Sequence, residues 1–135
     1  MFERKCREKL ALLGRIAEAV GASDELSTVT RLIVELTVEF LAARRGSLMF
    51  LDGHQELSII ASVGMDREAA RSWRGRLARG VAGTVAAQGA PLLCADALGD
   101  ERFPEGCREP VPARTFISSP IVGKDRLLGV LNFYD

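Results

Sequence analysis

Near residue 45 the apolar residues change their period, and that change restricts the fold more than any other feature of the chain. Before it they recur at helical spacing. Cys6, Leu10, Leu13, Ala17 and Val20 step by 4, 3, 4 and 3. Leu26, Val29, Ile33, Leu36 and Phe40 make a second stripe, widened by Leu32 and Leu41. After it the period is that of strands. An apolar run over 46–51 meets Asp52-Gly53, and Leu57, Ile59, Ala61 and Val63 then alternate with Ser58, Ile60 and Ser62. Two helices followed by hairpins predict an α+β domain with a central, mostly antiparallel sheet.

The first helix is expected over 3–20, ended by Gly21-Ala22, and the second over 24–43, with Ser23 as its cap and Asp24 and Glu25 in its first turn. Asp66 caps a short helix reaching Trp73, and 74–79 is basic and irregular. A small helix over 80–88 ends at Gly89, a short strand follows at 91–95, and 98–103 is a helical turn. Gly106, Pro110 and Pro112 make 105–113 a loop. The closing hairpin runs 116–122, turns at 123–126 and returns over 127–134. The 4-3 seam of the first helix is narrower than the stripe of a helix packed flat on a core. Either it lies across the sheet or it pairs with a second copy, and a homodimer through Leu10, Leu13, Ala17 and Val20 is the expectation.

Composition removes whole classes of function. A chain of 135 residues, 47% hydrophobic and 27% charged, is one domain with a real core. Its 18 basic and 18 acidic residues cancel, which leaves no overall pull toward nucleic acid or anionic membranes. Arg71, Arg74, Arg76 and Arg79 surround Trp73, but one aromatic is too little for a stacking platform. No apolar run is long enough to span a membrane, so a cytoplasmic protein is expected. Cys6, Cys94 and Cys107 are odd in number and scattered, which reads as free thiols; with His54 far away they make no metal site. His54 lies in a hairpin turn, unsuited to a catalytic triad. Gly80-Val81-Ala82-Gly83-Thr84 matches no phosphate-loop pattern and reads as helix packing. Asp96, Asp100 and Glu101 cluster, yet Arg102 follows at once. No enzyme is expected.

What remains is a cavity. With both long helices on one face of the sheet, the irregular middle must cover the other, and loops fill space less densely than helices. Ala82, Ala86, Ala87, Ala90 and Ala95 leave room there. The candidate pocket is Trp73, Val81, Thr84, Val85, Cys94, Asp96, Phe103, Arg114, Phe116 and Ser118, with Leu93 beside them. Its mouth is expected between 73–85 and 94–103. Asp96 is its polar group, holding either a ligand or the turn that starts at Leu98.

The chain resembles a GAF domain. Ser47-Leu48-Met49-Phe50-Leu51-Asp52 is similar to the family's first strand, and the second helix to its opening segment. Gly80-Val81-Ala82-Gly83-Thr84-Val85-Ala86 with Gly89-Ala90-Pro91 resembles its G-x-x-G-x-x-A…G-x-P stretch. Asp96 and Asp100-Glu101-Arg102-Phe103 resemble its D…D-x-R-F loop. Arg114 to Ile121 with Leu128-Gly129-Val130-Leu131 resembles its closing hairpin. The resemblance divides the chain into a dimerising or signalling helix over 1–22 and a GAF domain over 23–135. It implies a sensory or regulatory module of a longer, bacterial-type signalling protein, which binds an unidentified small molecule and acts on an output domain. A structural dimerisation module without ligand is the alternative.

The family's special branches match less well. Bilin binders use a cysteine followed by histidine, but Arg108 follows Cys107. Haem binders need a pocket histidine, which His54 is not. The free-methionine-sulfoxide reductases place a cysteine where Ala82 stands. Cyclic-nucleotide binders carry Asn-Lys after the last strand, whereas Phe133 follows Asn132. A PAS domain, the other sensory fold with a pocket, opens with strands rather than helices.

Overall fold

The computed structural model describes residues 2–22, 25–104, 107, 110 and 112–135, with side-chain surroundings for all of these except Ala19, Val20 and Ala22. The expected cap Ser23, with Asp24, lies outside them, as does the side chain of Val20. The chain runs α1 (Phe2–Ala22), α2 (Leu26–Leu41), β1 (Arg45–Leu51), β2 (Glu56–Val63), α3 (Arg67–Ser72), β3 (Arg74–Arg76), α4 (Gly80–Gln88), β4 (Leu92–Cys94), β5 (Phe116–Gly123) and β6 (Arg126–Tyr134). The strands form one sheet in the order β3-β2-β1-β6-β5-β4, and every neighbouring pair is antiparallel. The expected α+β architecture is the one observed.

Local chemistry sets the ends of the elements. Asp66 accepts a hydrogen bond from the Ala69 N–H at 2.9 Å, which caps α3. Gly89, at φ 68°, takes the left-handed turn that ends α4. In the first hairpin the Asp52 carboxylate accepts from the backbone N–H groups of His54 (2.8 Å) and Glu56 (2.9 Å), and these bonds lower its pKa. In the last hairpin the turn lies where expected: Gly123 pairs with Arg126, and Lys124 and Asp125 form the loop.

Three expectations need correction. Residues 74–76, expected to be irregular, pair with 56–58 as the edge strand β3. Residues 98–103 form successive turns and no helix. The inner stripe of α2 is also partly turned: Leu36 is buried as expected, but Val34, with Val38, meets Leu48 and Ala61, while Leu26 is 71% exposed and Phe40 38%. Both helices do lie on one side of the sheet, but α2 alone rests on β1 and β2, and α1 makes its main contacts with α2.

A bulge in β2 decides which side chains face α4. Met49 pairs with Ile59 but Leu48 with Ala61, so Ile60 is extra. Leu57 and Ile59 therefore join Ala82, Val85 and Ala86 of α4 beside Met49 and Val130, whereas Ala61 and Val63 face α2. No helix among the described residues is long and apolar enough to cross a membrane.

Candidate functional site

The α4 face of the sheet carries the candidate site, and its floor is ordered by strand register. Ser47 of β1 lies opposite Asn132 of β6, and Asn132 lies opposite Ser118 of β5. All three are at most 1% exposed. The Ser118 hydroxyl donates to Asn132 Oδ1 at 2.6 Å, and Asn132 Nδ2 reaches Ser47 Oγ and Met49 Sδ, both at 3.4 Å. Ser47 Oγ also lies 3.3 Å from the Tyr134 hydroxyl, whose pKa burial raises far above its usual value. This polar row separates two apolar clusters. On one side are Val81, Cys94, Ala97, Phe103, Cys107, Phe116 and Tyr134. On the other are Met49, Leu57, Val130 and the inner side chains of α4.

Most of the expected pocket residues are divided between the two clusters. Val81, Cys94, Phe103 and Phe116 pack against one another, and the rings of Phe103 and Phe116 meet edge to face with centroids 5.6 Å apart. Of the alanines expected to leave room, Ala82 and Ala86 sit on the sheet, while Ala87, Ala90 and Ala95 are exposed. Val85 is fully buried beside Met49, and Ser118 belongs to the polar row. The Thr84 hydroxyl donates back to the Gly80 carbonyl at 2.6 Å, a bond within α4. Leu93 is 65% exposed and points away from this core.

Asp96 and Arg114 come together, but at the surface. Their side chains are 50% and 72% exposed and 3.4 Å apart, and Asp96 Oδ1 accepts from the Leu98 N–H at 3.2 Å. Asp96 therefore holds the turn at Leu98 rather than a buried strand end. The better-made carboxylate is Asp100. It binds the Arg102 guanidinium through Nε (2.9 Å) and Nη2 (2.5 Å), and accepts hydrogen bonds from the Arg102 backbone N–H (3.0 Å) and the Cys94 thiol (3.3 Å). Those bonds to Arg102 hold its pKa far below the usual carboxylate range. Asp100 and Arg102 thus clamp the turns after β4 onto β4.

Of the expected residues, Trp73 and Val81 do border an open cleft, one of about 300 Å³ between β3 and the start of α4, shared with Arg74, Arg76, Arg79 and Ala82. The Trp73 indole nitrogen is buried without a hydrogen-bond partner among the described residues. The cleft lies beside the start of α4, away from the loop over 94–103. Close packing also governs the thiols. Burial raises the pKa of Cys94, with Asp100 adding to the effect, and pushes Cys107 up to about 11. Among the described residues no group of His, Cys, Asp and Glu is arranged to hold a metal.

Sequence reasoning missed Ser47 and Asn132 as floor residues. A signal existed: they occupy inward positions of strands whose other inward residues, Met49, Val130 and Tyr134, are large.

Comparison with known proteins gives a consistent picture. The family model of the GAF domain matches residues 25–135. The Nif-specific regulatory protein of Herbaspirillum seropedicae is 24% identical over an alignment 134 residues long that covers 96% of this chain and 24% of that protein, so the chain spans only a small part of that relative. The GAF domain of a phosphoenolpyruvate-protein phosphotransferase from Coxiella burnetii superposes with a TM-score of 0.80 at 27% identity, covering 93% of this chain and 76% of the other. A free methionine-R-sulfoxide reductase from Neisseria meningitidis, solved with its substrate, shares the fold at TM-score 0.77 and 19% identity, over 91% and 70% of the two chains.

Proposed function

The chain belongs to the GAF domain family, and on that premise we propose that it is a cytoplasmic sensory domain of a regulatory protein, binding a small molecule on its α4 face and passing the change through a homodimer to an output domain. The regulatory relative from Herbaspirillum, far longer than this chain, supports a domain that works within a larger protein. The observation that carries the ligand reading is the buried polar row. Packing alone has no need of Ser47, Asn132 and Ser118 beneath a helix of small residues. The Asn132 amide reaches Ser47 Oγ only at 3.4 Å, and its other acceptor is the weakly accepting Met49 thioether, so a ligand acceptor entering beneath α4 would serve it better. The cleft at Trp73 and Val81 is the entrance.

The second reading, a dimerisation module without ligand, is favoured by the tight packing of Val81, Cys94, Phe103 and Phe116. Neither reading gives the domain a catalytic role. Both deep thiols are shielded and have raised pKa values, and Ala82 stands where the resembling reductases place a cysteine. Native mass spectrometry of protein purified without denaturation tests the proposal. A dimer mass with a retained small molecule is expected. A bare dimer that none of a panel of small metabolites stabilises would give the second reading, and a monomer at every concentration would overturn both.

A further inference from the structure

A second concavity, of about 350 Å³, lies between the first turn of α2, the middle of β2 and α3. It shares no lining residue with the Trp73 cleft. Arg31, Arg67 and Arg71 supply its charge, Ser27 and Thr28 its hydroxyls, and β2 an apolar wall on which Ile60 is 40% exposed. Arg31 is engaged by Glu35 at 3.1 Å. Arg67 and Arg71 are not engaged: among the described residues neither has a carboxylate within ion-pair distance, in a chain whose acidic residues equal its basic ones. Asp66, next to Arg67 in sequence, spends its carboxylate on the Ala69 N–H. One helical turn apart on α3, the two guanidiniums can converge on a single tetrahedral anion, which their planar forks fit.

We propose that this cleft binds a small phosphate monoester, its phosphate held by Arg67 and Arg71 and its organic body laid against Ile60 and the β2 wall. The volume is that of a small-ligand site. A nucleic acid strand would ask for a longer basic track and for aromatic side chains, and no aromatic lines this cleft.

The test uses the full chain at constant ionic strength, with phenyl phosphate, inorganic phosphate and phenol as probes in calorimetric titration and thermal unfolding. Saturable binding of phenyl phosphate is expected, weaker binding of inorganic phosphate, and none of phenol. Arg67→Gln with Arg71→Gln should weaken phenyl phosphate binding roughly tenfold or more. Both side chains are exposed, so the fold should persist. Arg67→Lys and Arg71→Lys, which keep the charge and lose the fork, should fall between. Arg76→Gln with Arg79→Gln, in the other cleft, should leave the affinity unchanged. The proposal is overturned if phenyl phosphate fails to bind, if phenol binds equally well, or if the Arg76/Arg79 variant loses the affinity while the Arg67/Arg71 variant keeps it.

Discussion

Gly83 sets the distance between α4 and the edge of the sheet. A Cβ there would collide with the carbonyl oxygen of Arg76, a backbone atom that cannot rotate aside. Ala is the better helix former by about 1 kcal/mol, yet forcing α4 off β3 costs roughly 1–3 kcal/mol. Gly83→Ala should therefore lower stability by up to about 2 kcal/mol in urea unfolding, and a more stable variant would show that α4 is free to shift. Asp100 supports a prediction in pH. Its folded pKa lies below the usual 3.8, because Arg102 and the Arg102 N–H bind the ionised form. The stabilisation is then complete above the unfolded pKa and disappears as pH falls through it toward the folded value. The stability gap between wild type and Asp100→Asn should be flat from pH 8 to 5 and narrow below about pH 4; a gap independent of pH would mean that the ion pair contributes nothing. At this scale the sequence was partly legible. The caps Asp66 and Gly89 and the packing glycine Gly83 can be read from local spacing, because backbone geometry demands them. Asp96 is the expected polar group because it ends a short strand, yet Asp100, two residues before Arg102, is the carboxylate that meets the arginine fork.

Along α1 the apolar residues divide into two rows. Leu12 and Ile16 are half-buried, and Arg15 reaches Glu39 of α2 at 3.8 Å, whereas Leu10 is 67% exposed and Leu13 62%. The row at Leu10, Leu13 and Ala17 is thus the one that a single copy leaves uncovered, and Cys6 on the same seam is only half-buried. Leu10→Arg with Leu13→Arg should give a folded monomer by light scattering. If the variant keeps a dimer mass, the copies meet elsewhere. A parallel pairing also places Cys6 near its counterpart, so mild oxidation should trap a disulfide-linked dimer through Cys6 alone. Elements with one clear period were readable in this way, and α1, α2, α4 and both hairpins fall where the pattern puts them. The edge strand β3 was not, because three residues carry no period and its pairing depends on Glu56 to Ser58, remote in sequence. Nor was the bulge at Ile60, since the alternation of Leu57, Ile59, Ala61 and Val63 looks unbroken along the chain while the strand changes face within it.

The whole molecule is layered, with α1 on α2, α2 on the sheet, and α4 with the turns over 95–104 on the far face. The order of the layers has an energetic consequence. The inner layers share the buried clusters around Met49, Phe116 and Val34, but none of the described side chains of α1 belongs to any of them. The family model likewise begins at residue 25. Removal of residues 2–22 should then leave a chain that still unfolds cooperatively, with a lower melting temperature because the outer side of α2 is uncovered. The shortened chain should be monomeric, and its melting temperature independent of protein concentration. That of the full chain should rise with concentration, since a dimer is stabilised by mass action. Calorimetry of both chains over a hundredfold range of concentration reads the difference. A shortened chain without a cooperative transition would make α1 part of the core, and one that still dimerised would move the interface to another surface, such as the exposed edge at Leu93 and Ile117. The concentration dependence is the sharper readout, because losing an outer helix that merely covers α2 lowers the melting temperature equally at every dilution.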